Sequence, residues 1–145
     1  MYKKILVALD GSEFAESIIC QAEDLARMTK AEISLLRVAL VNPFPGADTR
    51  ELERKVVERA EGYLDDLAAE MTGKGFRVTT HVRYGHAPTE ILEHAAKYAD
   101  LLVMTTHGRS GLGRWAMGSV AGQVIRHCKI PVLIFRADES CLVQG

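Results

Sequence analysis

The sequence predicts a doubly wound α/β domain: one five-stranded parallel sheet, helices on both faces, strand order 3-2-1-4-5. Three observations lead there. Five short apolar runs recur along the 145 residues. A segment of helical periodicity separates each run from the next, and this alternation builds a parallel sheet through right-handed crossovers. The runs at 4–9 and 101–104 lack a polar–apolar rhythm and so read as strands buried on both faces, whereas 76–84 alternates through Phe76, Val78, Thr80 and Val82 as an edge strand does.

The elements follow in order. After the first strand, Asp10-Gly11-Ser12 breaks the chain. Ser12 is placed to cap a helix with Glu13 and Glu16 in its first turn, and Phe14, Ile18, Ile19, Ala22, Leu25 and Ala26 carry the apolar face to about residue 28. A second strand spans 32–38. Pro43, Pro45 and Gly46 make a loop, and a long helix over 49–71 presents Leu52, Val56, Ala60, Leu64, Leu67 and Met71 on one stripe. Gly62 weakens that helix by about 1 kcal/mol relative to alanine, and Gly73-Lys74-Gly75 ends it. The charges from Glu51 to Glu61 form its wet face. The alternating third strand is followed by a turn and by Pro88 in the first turn of a helix reaching residue 98. The fourth strand runs into a glycine-rich stretch, a helix over 119–127 and a last strand, Pro131-Val132-Leu133-Ile134-Phe135-Arg136. One domain over 1–137 and a loose tail at 138–145 are expected.

Apolar residues make up 48% of the chain and charged residues 26%, with a net charge of −1. This is an ordinary globular composition. It lacks the basic face that a nucleic-acid backbone or an anionic membrane requires, so neither partner is expected. The first apolar run ends at Asp10, too short for a secretory core or a membrane span, and a cytoplasmic protein is expected. Cys20, Cys128 and Cys141 form no CxxC pair, which leaves no basis for a zinc site or a dithiol motif; Cys20 is expected as a small core residue.

In an open α/β sheet, ligands bind beyond the carboxyl ends of the strands where the winding reverses. With order 3-2-1-4-5 that point lies between the first and fourth strands. Two segments meet there: Ala8-Leu9-Asp10-Gly11-Ser12, and the stretch from Thr105 through His107, Gly108, Arg109, Gly111, Arg114 and Trp115 to Gly118-Ser119-Val120. Gly108 and Gly118 let backbone approach a phosphate with no Cβ in the way. Gly118-Ser119 opens a helix whose free N–H groups favour an anion, and the Ser119 hydroxyl can donate as well. Arg109 and Arg114 are cations within reach of a terminal phosphate. An acid such as Asp10 is wrong for phosphate but right for a sugar hydroxyl. Trp115 is expected to anchor the loop by packing, and His81, His86, His94 and His127 show no metal-ligand spacing.

The stretch Gly108-x9-Gly118-Ser119 resembles the universal stress protein signature, Gly-x2-Gly-x9-Gly-Ser/Thr. Ile5-Leu6-Val7-Ala8-Leu9-Asp10-Gly11-Ser12 resembles that family's first strand and turn, and Ile130-Pro131-Val132-Leu133-Ile134 its last strand. The resemblance covers essentially the whole chain. It implies ATP, with Mg2+, held by the loop glycines and Ser119 and framed at the nucleoside by Asp10 and Val38. It also implies a homodimer formed through the last strand. The signature's first glycine is Thr105 here, which puts a branched side chain near the phosphate path.

Three functions are compatible with these residues. The first is a regulatory nucleotide-binding protein. The second is a slow ATP hydrolase, for which the sequence offers phosphate donors but neither an evident general base nor a Gly-x4-Gly-Lys-Ser/Thr loop. The third is a dimeric interaction module indifferent to nucleotide, which Thr105 favours. A receiver domain is set aside because the third strand ends in Val82-Arg83-Tyr84 with no phosphorylatable Asp; a flavodoxin is set aside because Asp10 and Glu13 would repel a flavin phosphate.

Overall fold

The computed structural model describes residues 1–12, 16–40, 44–106 and 117–136. Its elements are β1 (Lys4–Leu9), α1 (Ile19–Thr29), β2 (Glu32–Ala39), α2 (Thr49–Gly73), β3 (Val78–Tyr84), α3 (Ala87–Tyr98), β4 (Leu101–Thr105), α4 (Ser119–His127) and β5 (Val132–Phe135). The five strands form one sheet in the order β3-β2-β1-β4-β5, and every pair is parallel. The fold class and strand order are those the sequence predicts.

Side-chain alternation along β1 divides the core into two layers. Ile5, Val7 and Leu9 pack with Ile33, Leu35 and Val103 against α1 and α2, where Ala22, Leu64 and Met71 are buried. Leu6 and Ala8 point the other way, with Leu36, Leu102 and Met104, against Ile91 and Ala95 of α3 and Ala121 and Val124 of α4. Both faces of β1 and β4 are therefore covered, which is why their sequences are continuous apolar runs. Each large side chain buried this way contributes about 1.5–3 kcal/mol.

Local chemistry places the ends of the elements. The Asp48 carboxylate accepts the Glu51 N–H at 3.3 Å and caps α2. Pro88 lies in the first turn of α3, where its missing N–H costs nothing. Asp100 accepts the backbone N–H groups of Lys3 and Lys4 at 2.9 and 3.1 Å, and so ties the start of β1 to the start of β4. In that register Ile5 stands beside Leu101 and Val7 beside Val103. Leu9 and Thr105, two residues further on, bring both strands to their carboxyl ends together.

The run from Ile19 to Thr29 is preceded by Ile18, which makes no side-chain cap. Ahead of it Glu16 is helical, and its N–H donates to the Ser12 carbonyl at 3.1 Å. The Ser12 N–H donates to the Asp10 carboxylate. Residues 13–15, Phe14 included, lie outside the described residues. One expectation is corrected: Cys20 is half-buried on α1 and disulfide-bonded, and Cys128 is a free thiol. Among the described residues no helix is long and apolar enough to cross a membrane, and no group of three His, Cys, Asp or Glu residues is placed to hold a metal ion.

Candidate functional site

The site is built at the carboxyl ends of β1, β2 and β4. Beyond Leu9 the chain turns at once: Gly11 has φ +85°, a conformation glycine adopts without strain, and the Asp10 carboxylate (Oδ1) accepts the Ser12 N–H at 2.8 Å. Asp10 and Ser12 are both half-buried. Their carboxylate and hydroxyl therefore sit at the rim of the sheet and not in its core.

Across the switch point, Thr105 is buried as the last residue of β4. The Thr106 N–H donates to the Phe135 carbonyl at 2.9 Å, which extends the ladder to β5 by one step. The Gly118 N–H donates to the Thr106 carbonyl at 2.7 Å. Thr106 and Gly118 are thus one hydrogen bond apart. Gly118 is the extended residue ahead of α4, with no side-chain cap, and Ser119 is exposed in the first turn. The N-terminus of α4 is therefore held against the end of β4, as anion binding at this position requires.

Of the residues expected at the site, Ala8, Val38 and Val120 come together. Ala8 is buried in the layer beneath α3 and α4, and Val38 and Val120 pack on that layer from β2 and α4. They supply an apolar wall on that face of the switch point. Leu9 belongs to the opposite layer and supports the turn from below. Asp10 and Ser12 are joined in one turn, and Thr105, Gly118 and Ser119 lie at the neighbouring end. His107, Gly108, Arg109 and Gly111, together with Arg114 and Trp115, lie outside the described residues.

Sequence reasoning passed over a second group beside Asp10. Arg37, near the end of β2, stands beside Leu9 in the sheet register. Its guanidinium carbon lies 5.9 Å from the centre of the Tyr63 ring on α2. Its Nη1 lies 2.6 Å from the point where a Cβ on Gly11 would be. Burial, with the Glu16 carboxylate close by, pushes the Tyr63 phenol far above its usual range, while the charge on Arg37 pulls the other way. Tyr63 is thus neutral at any physiological pH. An arginine between Leu36 and Val38 in a largely apolar strand was the available signal.

With this geometry in place, known proteins supply a family. A model described as the universal stress protein family matches residues 1–136. The chain belongs to the universal stress protein family. It is 33% identical over 148 residues to universal stress protein MJ0531 of Methanocaldococcus jannaschii, covering 97% of this chain and 85% of that one. The structure of hypothetical protein MJ0577 from the same organism superposes with a TM-score of 0.85 at 29% identity, covering 97% of this chain and 99% of that one. A universal stress protein solved in complex with cAMP has a TM-score of 0.72 at 21% identity, covering 94% and 99%, a likeness that carries the fold alone. The family's sheet and its switch point are thus shared by this chain.

Proposed function

We propose that this universal stress protein is a regulatory nucleotide sensor that binds Mg-ATP at the β1/β4 switch point. One observation carries the reading: the Asp10-Gly11-Ser12 turn and the N-terminus of α4 stand at the ends of adjacent strands, with Gly118 tied to Thr106. The first offers a sugar acceptor and the second an anion site. Ala8, Val38 and Val120 form an apolar wall beside them. That the same fold holds cAMP in another protein agrees with this use of the scaffold. In this reading hydrolysis is slow at most, because the sequence offers phosphate donors but neither an evident general base nor a Gly-x4-Gly-Lys-Ser/Thr loop.

In this reading His107, Gly108, Arg109 and Gly111 complete the phosphate side with Gly118, Ser119 and Val120, and Mg2+ arrives with the triphosphate. The sensor acts as a homodimer through β5, which is an edge of the sheet and exposes Leu133. The alternative reading is a dimeric interaction module indifferent to nucleotide. Thr105, where the family signature has its first glycine, favours it.

A thermal-shift titration of nucleotide-stripped protein separates the two. Mg-ATP at 100 times its dissociation constant stabilises the fold by about 2.7 kcal/mol, a shift of several degrees that GTP and FMN do not match and that Gly118→Ala abolishes. No shift with any nucleotide overturns the sensor and leaves the interaction module.

A further inference from the structure

We infer that Arg37 is a positioning residue that sets the Asp10-Gly11-Ser12 turn for the sugar of a bound nucleotide, an inference that rests on the nucleotide reading above. The alternation of β2 points Arg37 to the same side as Ile33 and Leu35, the layer covered by α1 and α2. Its head reaches the edge of that layer, at Tyr63 and the turn that ends β1. There the guanidinium lies against two surfaces, the Tyr63 ring at 5.9 Å and the backbone of Gly11.

A side chain at Gly11 would require the Arg37 head to move. A Cβ there would come within 2.6 Å of Nη1 and 3.0 Å of Cζ. Gly11 therefore serves twice, by its positive φ and by admitting a planar cation against the turn. Asp10 already accepts the Ser12 N–H through one oxygen. Asp10, Glu16 and Arg37 all act electrostatically on Tyr63, so the four groups share one small region. A planar, permanently charged guanidinium can stack on the ring and support the turn together, which a lysine ammonium cannot. The position of Asp10, and with it selection for a sugar hydroxyl, then depends on a residue that need not touch the ligand.

The test is calorimetric titration of nucleotide-stripped wild type, Arg37→Met and Arg37→Lys with Mg-ATP and with Mg-2′,3′-dideoxy-ATP. Wild type is expected to prefer ATP by about tenfold or more, as a hydrogen bond to a charged acceptor implies. Arg37→Met is expected to narrow that preference to within about threefold, and Arg37→Lys to fall between. A general loss of stability would weaken both ligands alike and leave their ratio unchanged. Wild-type discrimination retained in Arg37→Met overturns the inference while the nucleotide reading stands. If Arg37→Met does not fold, full discrimination in Arg37→Lys overturns it equally. Equal wild-type affinity for the two nucleotides also overturns it, by removing Asp10 from the sugar. Absence of any wild-type binding removes the nucleotide reading itself, and the inference with it.

Discussion

The backbone N–H of Gly118 donates to the carbonyl of Thr106 at 2.7 Å, closing the stretch between β4 and α4 at its base. This bond fixes where the N-terminus of α4 stands relative to the end of β4. Gly118 has φ −60° and ψ 154°, values that proline accepts. Gly118→Pro therefore removes the donor with little backbone strain. Chemical denaturation is expected to show a loss of about 1 kcal/mol, and Mg-ATP affinity should fall with it. Unchanged stability would mean that the bond holds nothing.

Gly11 and Gly75 both have positive φ, +85° and +99°, but their surroundings differ. Nothing lies within 4 Å of a Cβ built on Gly75, whereas one on Gly11 meets the Arg37 guanidinium. Alanine at either position bears the left-handed penalty of about 1–2 kcal/mol. Gly11→Ala must displace Arg37 as well, and is expected to lose more than Gly75→Ala in urea melts. The reverse order would count against the packing of Arg37 on the turn.

His94 on α3 is 3% exposed, and its ring centre lies 4.7 Å from that of His81 and 4.9 Å from that of Tyr98. Burial, then the nearby His81 and Arg83, lower its pKa from 6.5 to about 4. His81 is lowered as well, by burial and Lys4 against the pull of Glu32. The unfolded chain thus binds a proton at His94 more readily than the folded one does. Stability from this residue is complete above about pH 6.5 and drains away as pH falls toward 4. His94→Leu should flatten the melting temperature against pH over that window, and a profile equally steep in the variant would exclude His94 as the source.

Glu23 is 4% exposed on α1, and the Lys74 ammonium reaches it at 3.3 Å from the end of α2. Removing the lysine leaves a buried carboxylate unpaired. Lys74→Met is expected to destabilise by about 1–3 kcal/mol. Glu58→Ala, which breaks an exposed pair with Arg54, should change stability by less than about 0.5 kcal/mol. Equal effects would show that Glu23 is hydrated despite its burial.

β5 ends the sheet and exposes Leu133, with Ile125 and Met117 also exposed on and beside α4. Sedimentation at micromolar concentration is expected to give a dimer, and Leu133→Asp to shift it to monomer by placing a charge on the pairing edge. A wild-type monomer would remove the dimer from the proposed function.

Much of this architecture was legible in the sequence because it follows from local periodicity. Two-sided apolar runs named the central strands β1 and β4, and alternation named β3 as an edge. The order of the elements then located the crevice where Asp10, Thr105 and Gly118 belong. The half-buried, disulfide-bonded state of Cys20 was not legible, because composition places a lone helical cysteine in the core and a disulfide is a contact between distant segments.

The sequence by itself determined the succession of strands and helices and the fold class, because hydrophobic patterning and strand–helix alternation are properties of neighbours along the chain; the family was legible through the resemblance carried by Gly108-x9-Gly118-Ser119 and the two flanking strands. Only the tertiary structure decided that Arg37, Gly11 and Tyr63 lie together, since they come from β2, a turn and α2. The same holds for the rings of His81 and His94, which come from β3 and α3. Contacts of this kind depend on the register between strands and on where a helix crosses the sheet. Those are set by packing over the whole core, to which no single stretch of residues holds the key.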